Sequence, residues 1–121
     1  MKQMILVIED QEDNRRIMRD LLTSAGYEII EAVTGKDGVA AAETHRPDLI
    51  LMDIQLPDLD GYEATRRIKS KPDLCAIPVI AVTSYALSGD DNKAFEAGCD
   101  GYVSKPFSPR ALLAKIHGFL P

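Results

Sequence analysis

Short apolar runs alternate along the whole chain with stretches whose apolar residues recur three and four positions apart, and that order decides most of what it can fold into. Met4 to Ile8 is continuously apolar, a strand; Ile17, Met18, Leu21, Leu22 and Ala25 then recur at helical spacing until Gly26 supplies a stop. Tyr27 to Ala32 mixes Ile29 and Ile30 with Glu28 and Glu31. Thr34, with Asp37 three residues on, caps a helix over Val39 to Glu43. Leu49 to Met52, Val79 to Val82 and Gly101 to Ser104 complete the strands. Helices over Gly61 to Ser70 and Ser88 to Ala97 separate them, the second closed by Gly98. Ser108 before Pro109 opens a last helix carrying Ala111, Leu112, Leu113, Ile116 and Leu120.

Strands separated by helices of this length pair in parallel through right-handed crossovers, because a tight hairpin cannot join parallel neighbours. The first, third and fourth are apolar throughout, as strands covered on both faces must be; the second and fifth carry polar residues and read as edges. Strand order 2-1-3-4-5 satisfies both demands. The expectation is an α/β domain over residues 1–121, a five-stranded parallel sheet doubly wound with five helices; a TIM barrel needs about twice this length.

Charge narrows the function. Nineteen acidic against fourteen basic side chains give a net charge of −5, the wrong sign for gathering a phosphate backbone or an anionic membrane surface. No run approaches the roughly 20 apolar residues of a membrane span, and no leader-like segment precedes the first strand, so a cytoplasmic protein is expected. Cys75 and Cys99 lack a CxxC spacing and read as free thiols.

In a doubly wound sheet the ligand site lies beyond the carboxyl ends of the strands, where the winding direction switches, here between strands one and three. Those ends carry Glu9-Asp10, Asp53, Thr83-Ser84 and Ser104-Lys105-Pro106. Singly, each has an ordinary reading as a helix cap, a strand-end hydroxyl or a solvated lysine. Together, three crowded carboxylates either raise their pKa values or recruit a cation. Hard oxygen ligands without histidine or thiolate point to Mg²⁺ rather than zinc. A hydroxyl and an ammonium on the same cleft suit the equatorial oxygens of a phosphoryl group. No Ser-His pair, GxSxG elbow or Cys-His arrangement can be drawn, so the nucleophile is a carboxylate. Asp53, ending the central strand, is best placed for it, with Asp10 and Glu9 holding the metal.

Ile8-Glu9-Asp10, Leu51-Met52-Asp53-Ile54-Gln55-Leu56-Pro57, Val82-Thr83, Ala97-Gly98-Cys99-Asp100-Gly101-Tyr102 and Ser104-Lys105-Pro106-Phe107 occur in that order. Across essentially the whole chain they resemble the bacterial response-regulator receiver domain, most of all its single-domain members of the polar cell-division and development type. The resemblance implies a flavodoxin-like fold with Asp53 as phosphoacceptor. It implies Mg²⁺ held by Asp10, Asp53 and the backbone carbonyl of Gln55, with Glu9 reaching it through water. Thr83 would hydrogen-bond the phosphoryl group, Lys105 would pair with it, and the Lys105-Pro106 bond would be cis. Tyr102 matches the aromatic that turns inward when Thr83 moves.

The implied donor is a phosphohistidine on a sensor histidine kinase or a histidine phosphotransfer protein. Output would be contact with a downstream protein target around helices four and five, from a monomer or weak dimer with no direct nucleic-acid contact. Gln55 and Tyr85 match the positions that tune phosphoryl lifetime, and a shielding Tyr85 predicts slow self-dephosphorylation. A stand-alone receiver, rather than an enzyme acting on other substrates, is the expectation, with a module of a hybrid kinase as the other arrangement.

The rival from another class is a Mg²⁺-dependent phosphatase of the haloacid-dehalogenase type, which also uses an aspartyl nucleophile. It wants a second aspartate two residues on as general acid, where this chain has Gln55. A flavin or nucleotide binder would need a Gly-rich or Ser/Thr-rich loop after strand one, where Glu9 to Asn14 stand. His45 and His117 have no metal-ligand spacing, and Arg15, Arg16, Arg19, Arg66, Arg67 and Lys69 read as solvated helix faces.

Overall fold

Strands β1 (Met4–Ile8), β2 (Glu28–Ala32), β3 (Leu49–Asp53), β4 (Val79–Thr83) and β5 (Gly101–Ser104) alternate with helices α1 (Glu12–Ser24), α2 (Gly35–His45), α3 (Gly61–Lys69), α4 (Asp90–Ala97) and α5 (Pro109–His117). The computed structural model describes residues 2–83, 90–105 and 108–120, with 90–92 described by their backbone alone. The strands form one parallel sheet in the order β2-β1-β3-β4-β5, as expected from their polarity. β3 and β4 each run one residue beyond their apolar stretch, so Asp53 and Thr83 are the last residues of their strands. The proposed start of the fourth helix at Ser88 lies outside the described residues.

Alternation along the central strands divides the core in two. Ile5, Val7, Leu49, Leu51, Ile80 and Val82 face Met18 and Leu22 of α1 and Leu112 and Ile116 of α5. Leu6, Ile8, Ile50, Met52, Val79 and Ala81 face Ala42 of α2, Ala64 and Ile68 of α3 and Ala94 of α4. All of these are fully buried, and each large side chain contributes about 2 kcal/mol by leaving water. With both faces apolar, hydrophobicity alone does not fix the register of β1, β3 and β4; their polar ends do. Slipping β3 by one residue would drive Asp53 into the core, where an unpaired carboxylate costs several kcal/mol. The observed register pairs Ile8 with Met52, Asp53 with Val82 and Thr83 with Ser104, which lines the polar residues along one rim.

Two residues of the α1 stripe depart from expectation: Ile17 is 52% exposed, and Ala25, which caps the helix end, is exposed as well, while Met18 and Leu22 are buried. Ile17 lies one residue, about 100° of helix turn, from Met18, which takes it off the narrow stripe meeting the sheet. The caps follow the sequence reading. Thr34 accepts a hydrogen bond from the Asp37 amide, Ser108 accepts one from Ala111, and Pro109 opens α5. Thr34→Ala is therefore expected to cost about 1 kcal/mol, read as a lower urea midpoint with an unchanged slope.

Candidate functional site

The rim is assembled by backbone bonds that continue the sheet past its strands. The Glu9 amide donates to the Ala32 carbonyl, Ile54 to Val82, and Lys105 to Thr83 at 2.7 Å. Each tethers a loop residue to the neighbouring strand, and the first and last leave the Glu9 and Lys105 side chains meeting at the rim while Ile54 packs into the core below it. The β3–α3 loop is pinned as tightly. The Gly61 amide donates to the Ile54 carbonyl, and a Cβ on Gly61 would stand 2.4 Å from the Asp53 carbonyl oxygen, so only glycine lets α3 start this close to the site.

Glu9, Asp53 and Thr83 are buried, with Asp53 only 3% exposed. Lys105 Nζ lies 2.8 Å from Glu9 Oε1 and 3.4 Å from Asp53 Oδ1, its side chain mostly covered. Glu9 Oε2 accepts from the Gln11 amide and Asp53 Oδ1 from the Gln55 amide, each at 3.2 Å. One carboxylate oxygen from each of Glu9, Asp10 and Asp53 lies within 4.8 Å of the others. The expectation that strands one and three, with Lys105 from beyond strand five, converge on one cleft is met.

Crowding polarises the group. Burial, then the hydrogen bond and negative charge of Glu9, push the Asp53 carboxyl up to about 7 against the partial relief of Lys105. Burial also acts to raise Glu9, but its hydrogen bonds with Asp53 and Lys105 and the ammonium charge outweigh that and hold it below its usual value. The cost of the crowding therefore falls on Asp53, whose charged form is the one disfavoured. Burial alone would lower Lys105; its two carboxylate partners raise it overall, so it stays an ammonium. A cleft of three all-oxygen donors, one of them pushed up to about 7 by burial and negative charge, fits a hard divalent cation such as Mg²⁺.

The alternative readings of these residues as caps or surface do not hold. Asp10 is not the cap of α1; that place belongs to Gln11, which makes no side-chain cap bond, and α3 is capped by Asp60. Gln55 presents its amide to Asp53. On β5, Tyr102 pairs in register with Ala81, and Ser104 with Thr83, so Thr83 and Tyr102 share the sheet face that packs against α3 and α4, with Tyr102 half-buried in that core. Cys75 and Cys99 are free thiols. Pro106 and Tyr85 lie outside the described residues.

Two residues near the site were not singled out by sequence. Arg15 is not a solvated helix residue: it is 17% exposed and turned back against the β1–α1 loop. Asp58 accepts from the Gly35 and Lys36 amides at 2.8 and 2.9 Å and so ties the loop after Asp53 to the start of α2. Desolvation acts to raise the Asp58 carboxyl, but the amides of Lys36, Gly35, Leu59 and Asp58 itself together outweigh it and hold it down at about 2. Only an aspartate ahead of α3 hinted at the second, and its partner lies 22 residues away in the chain.

The sequence profile of the response regulator receiver domain matches residues 5–117. The chain is 42% identical over 120 residues to the polar-differentiation response regulator DivK of Brucella anthropi, covering 99% of this chain and 98% of that one. Its structure is similar to the receiver domain of a sensor histidine kinase of Pseudomonas aeruginosa, solved with a magnesium ion coordinated in the active-site cleft. That likeness has a TM-score of 0.92 at 38% identity and covers 98% of both chains. It is similar as well to the chemotaxis response regulator CheY4 of Vibrio cholerae, with a TM-score of 0.94 at 25% identity over 99% of this chain and 100% of that one. This chain belongs to the response regulator receiver domain family, the signalling receivers of phosphorelays.

Proposed function

We propose that the chain, as one receiver unit, accepts a phosphoryl group on Asp53 from a phosphohistidine of a sensor histidine kinase or a histidine phosphotransfer protein. The observation that carries the reading is the convergence of Asp53, Glu9 and Asp10 with the Lys105 ammonium on one rim. A carboxylate oxygen of Asp53 forms the new bond to phosphorus as the nitrogen–phosphorus bond of the donor breaks, and the imidazole keeps the electron pair. Asp10, Asp53 and the Gln55 carbonyl would hold Mg²⁺, with Glu9 through water, and the bound ion would supply charge neutralisation for the transferring group. Lys105, already an ammonium 3.4 Å from Asp53, pairs with a phosphoryl oxygen, and the Thr83 hydroxyl donates to another.

Thr83 and Tyr102 on one sheet face support the switch: Thr83 drawn to the phosphoryl group leaves room above Ala81 into which the Tyr102 ring turns. The surface around α4, β5 and α5 would then bind a downstream protein, with the receiver as a cytoplasmic monomer or weak dimer. Among the described residues no helix is long and apolar enough to cross a membrane, and the acidic charge argues against direct nucleic-acid binding. No catalysis beyond its own phosphorylation and dephosphorylation is proposed, and Gln55 in place of a second aspartate supports that over turnover of phosphomonoesters.

Incubation with Mg²⁺ and phosphoramidate tests the reading. The expected product is one hydroxylamine-sensitive acyl phosphate per chain, mapped to Asp53 and absent when EDTA is added. Steady release of phosphate from phosphomonoesters, with no acyl phosphate, would overturn it.

A further inference from the structure

The loop leading into α1 has to present two acidic residues of the site, Glu9 and Asp10, yet the cap residue Gln11 that follows them makes no side-chain hydrogen bond to the helix. The loop is secured instead by a residue of the helix itself. Arg15 Nη1 donates to the backbone carbonyls of both Glu9 and Asp10, at 3.2 and 3.3 Å. Its Nε lies 3.4 Å from Glu31 Oε1 on β2, and Glu31 is held in turn by Arg19 at 3.1 Å. Glu31 sits opposite Val7 in the ladder, so the clamp runs from the edge strand, through one guanidinium, to the two residues that follow β1. A cation in the N-terminal part of a helix opposes the helix dipole, and a mostly buried arginine there needs compensating partners. Glu31 and the two carbonyls supply them.

We propose that Arg15 is a positioning residue for the cation site: it fixes the backbone of Glu9 and Asp10 so that their carboxylates are pre-set for Mg²⁺. The inference rests on the receiver reading above. Holding the loop before the ion arrives removes an ordering cost that binding would otherwise carry. The planar fork reaches two carbonyls and a carboxylate at once, which a lysine ammonium on its single point of charge does not reproduce.

Calorimetric titration of the unphosphorylated protein with MgCl₂ tests it, at a temperature where circular dichroism shows every variant folded. Arg15→Met is expected to raise the Mg²⁺ Kd about tenfold, the usual loss when a group orienting metal ligands is removed. Arg15→Lys should fail to restore it. Glu31→Gln, which leaves Arg15 in place but unanchored, should raise the Kd by less, and the double variant should bind no worse than Arg15→Met alone. The Mg²⁺ concentration giving half-maximal phosphoryl uptake should rise by the same factor. A folded Arg15→Met with the wild-type Kd overturns the proposal, and if that variant does not fold, an unchanged Kd in Glu31→Gln does so. Wild-type protein that binds no Mg²⁺ would instead refute the receiver reading itself, and this inference with it.

Discussion

Asp53→Asn is expected to form acyl phosphate at least about a thousandfold more slowly than wild type, a loss of about 4 kcal/mol of transition-state stabilisation. The amide oxygen still accepts from Gln55, so the local geometry survives, but it carries no negative charge to attack phosphorus or to pair with Lys105. The two neighbouring carboxylates do not replace it equally. Glu9 is fully buried, with one oxygen on Lys105 and the other on the Gln11 amide, so neither is offered to a donor. Asp10 is only half-buried and is where residual modification should map, by peptide mass spectrometry after borohydride reduction. Uptake by Asp53→Asn at the wild-type rate, with phosphoramidate and saturating Mg²⁺, would remove Asp53 from the centre of the mechanism.

That prediction depends on features unequally visible in the sequence. The unbroken apolarity of β1, β3 and β4 and the mixed character of β2 and β5 are direct consequences of burial on two faces or one, and they revealed the strand order. The site residues were legible because strand ends in a doubly wound sheet share one rim, so polar residues far apart in the chain fall together. Glu9 and Lys105, 96 residues apart, meet at 2.8 Å. Arg15 was misread because its partners, the loop carbonyls and Glu31, come from tertiary placement and leave no periodic trace. Its helical neighbours Arg16 and Arg19 do lie on the surface as read. Ile17 was misread for the opposite reason: it has the chemistry of the stripe, but the stripe of α1 is too narrow to include it.

The same substitution that removes phosphoryl uptake is expected to stabilise the metal-free protein, by on the order of 2 kcal/mol at pH 8, with the gain vanishing near pH 4. The Asp53 carboxyl rises from 3.8 unfolded to about 7 folded, because burial and Glu9 disfavour its charge. Between those values the folded state binds more protons than the unfolded one, so wild-type stability is full below pH 4 and falls as pH climbs towards 7. The full shift of roughly 3 pH units corresponds to about 4 kcal/mol, and the 2 kcal/mol expected allows for relaxation of the pair and for Lys105. Glu9 does not confuse the window. Its pKa is lowered, so its contribution is present above 4.5 and is lost only as pH falls further. Asparagine carries no charge to desolvate, and its urea midpoint should lack the decline between pH 5 and 7 expected of wild type. Mg²⁺ should recover most of that stability in wild type, since a cation meets the same excess of negative charge that the proton does. An Asp53→Asn protein no more stable than wild type at pH 8 would show that the buried carboxylates are not in electrostatic conflict, and that the cleft is not poised for positive charge.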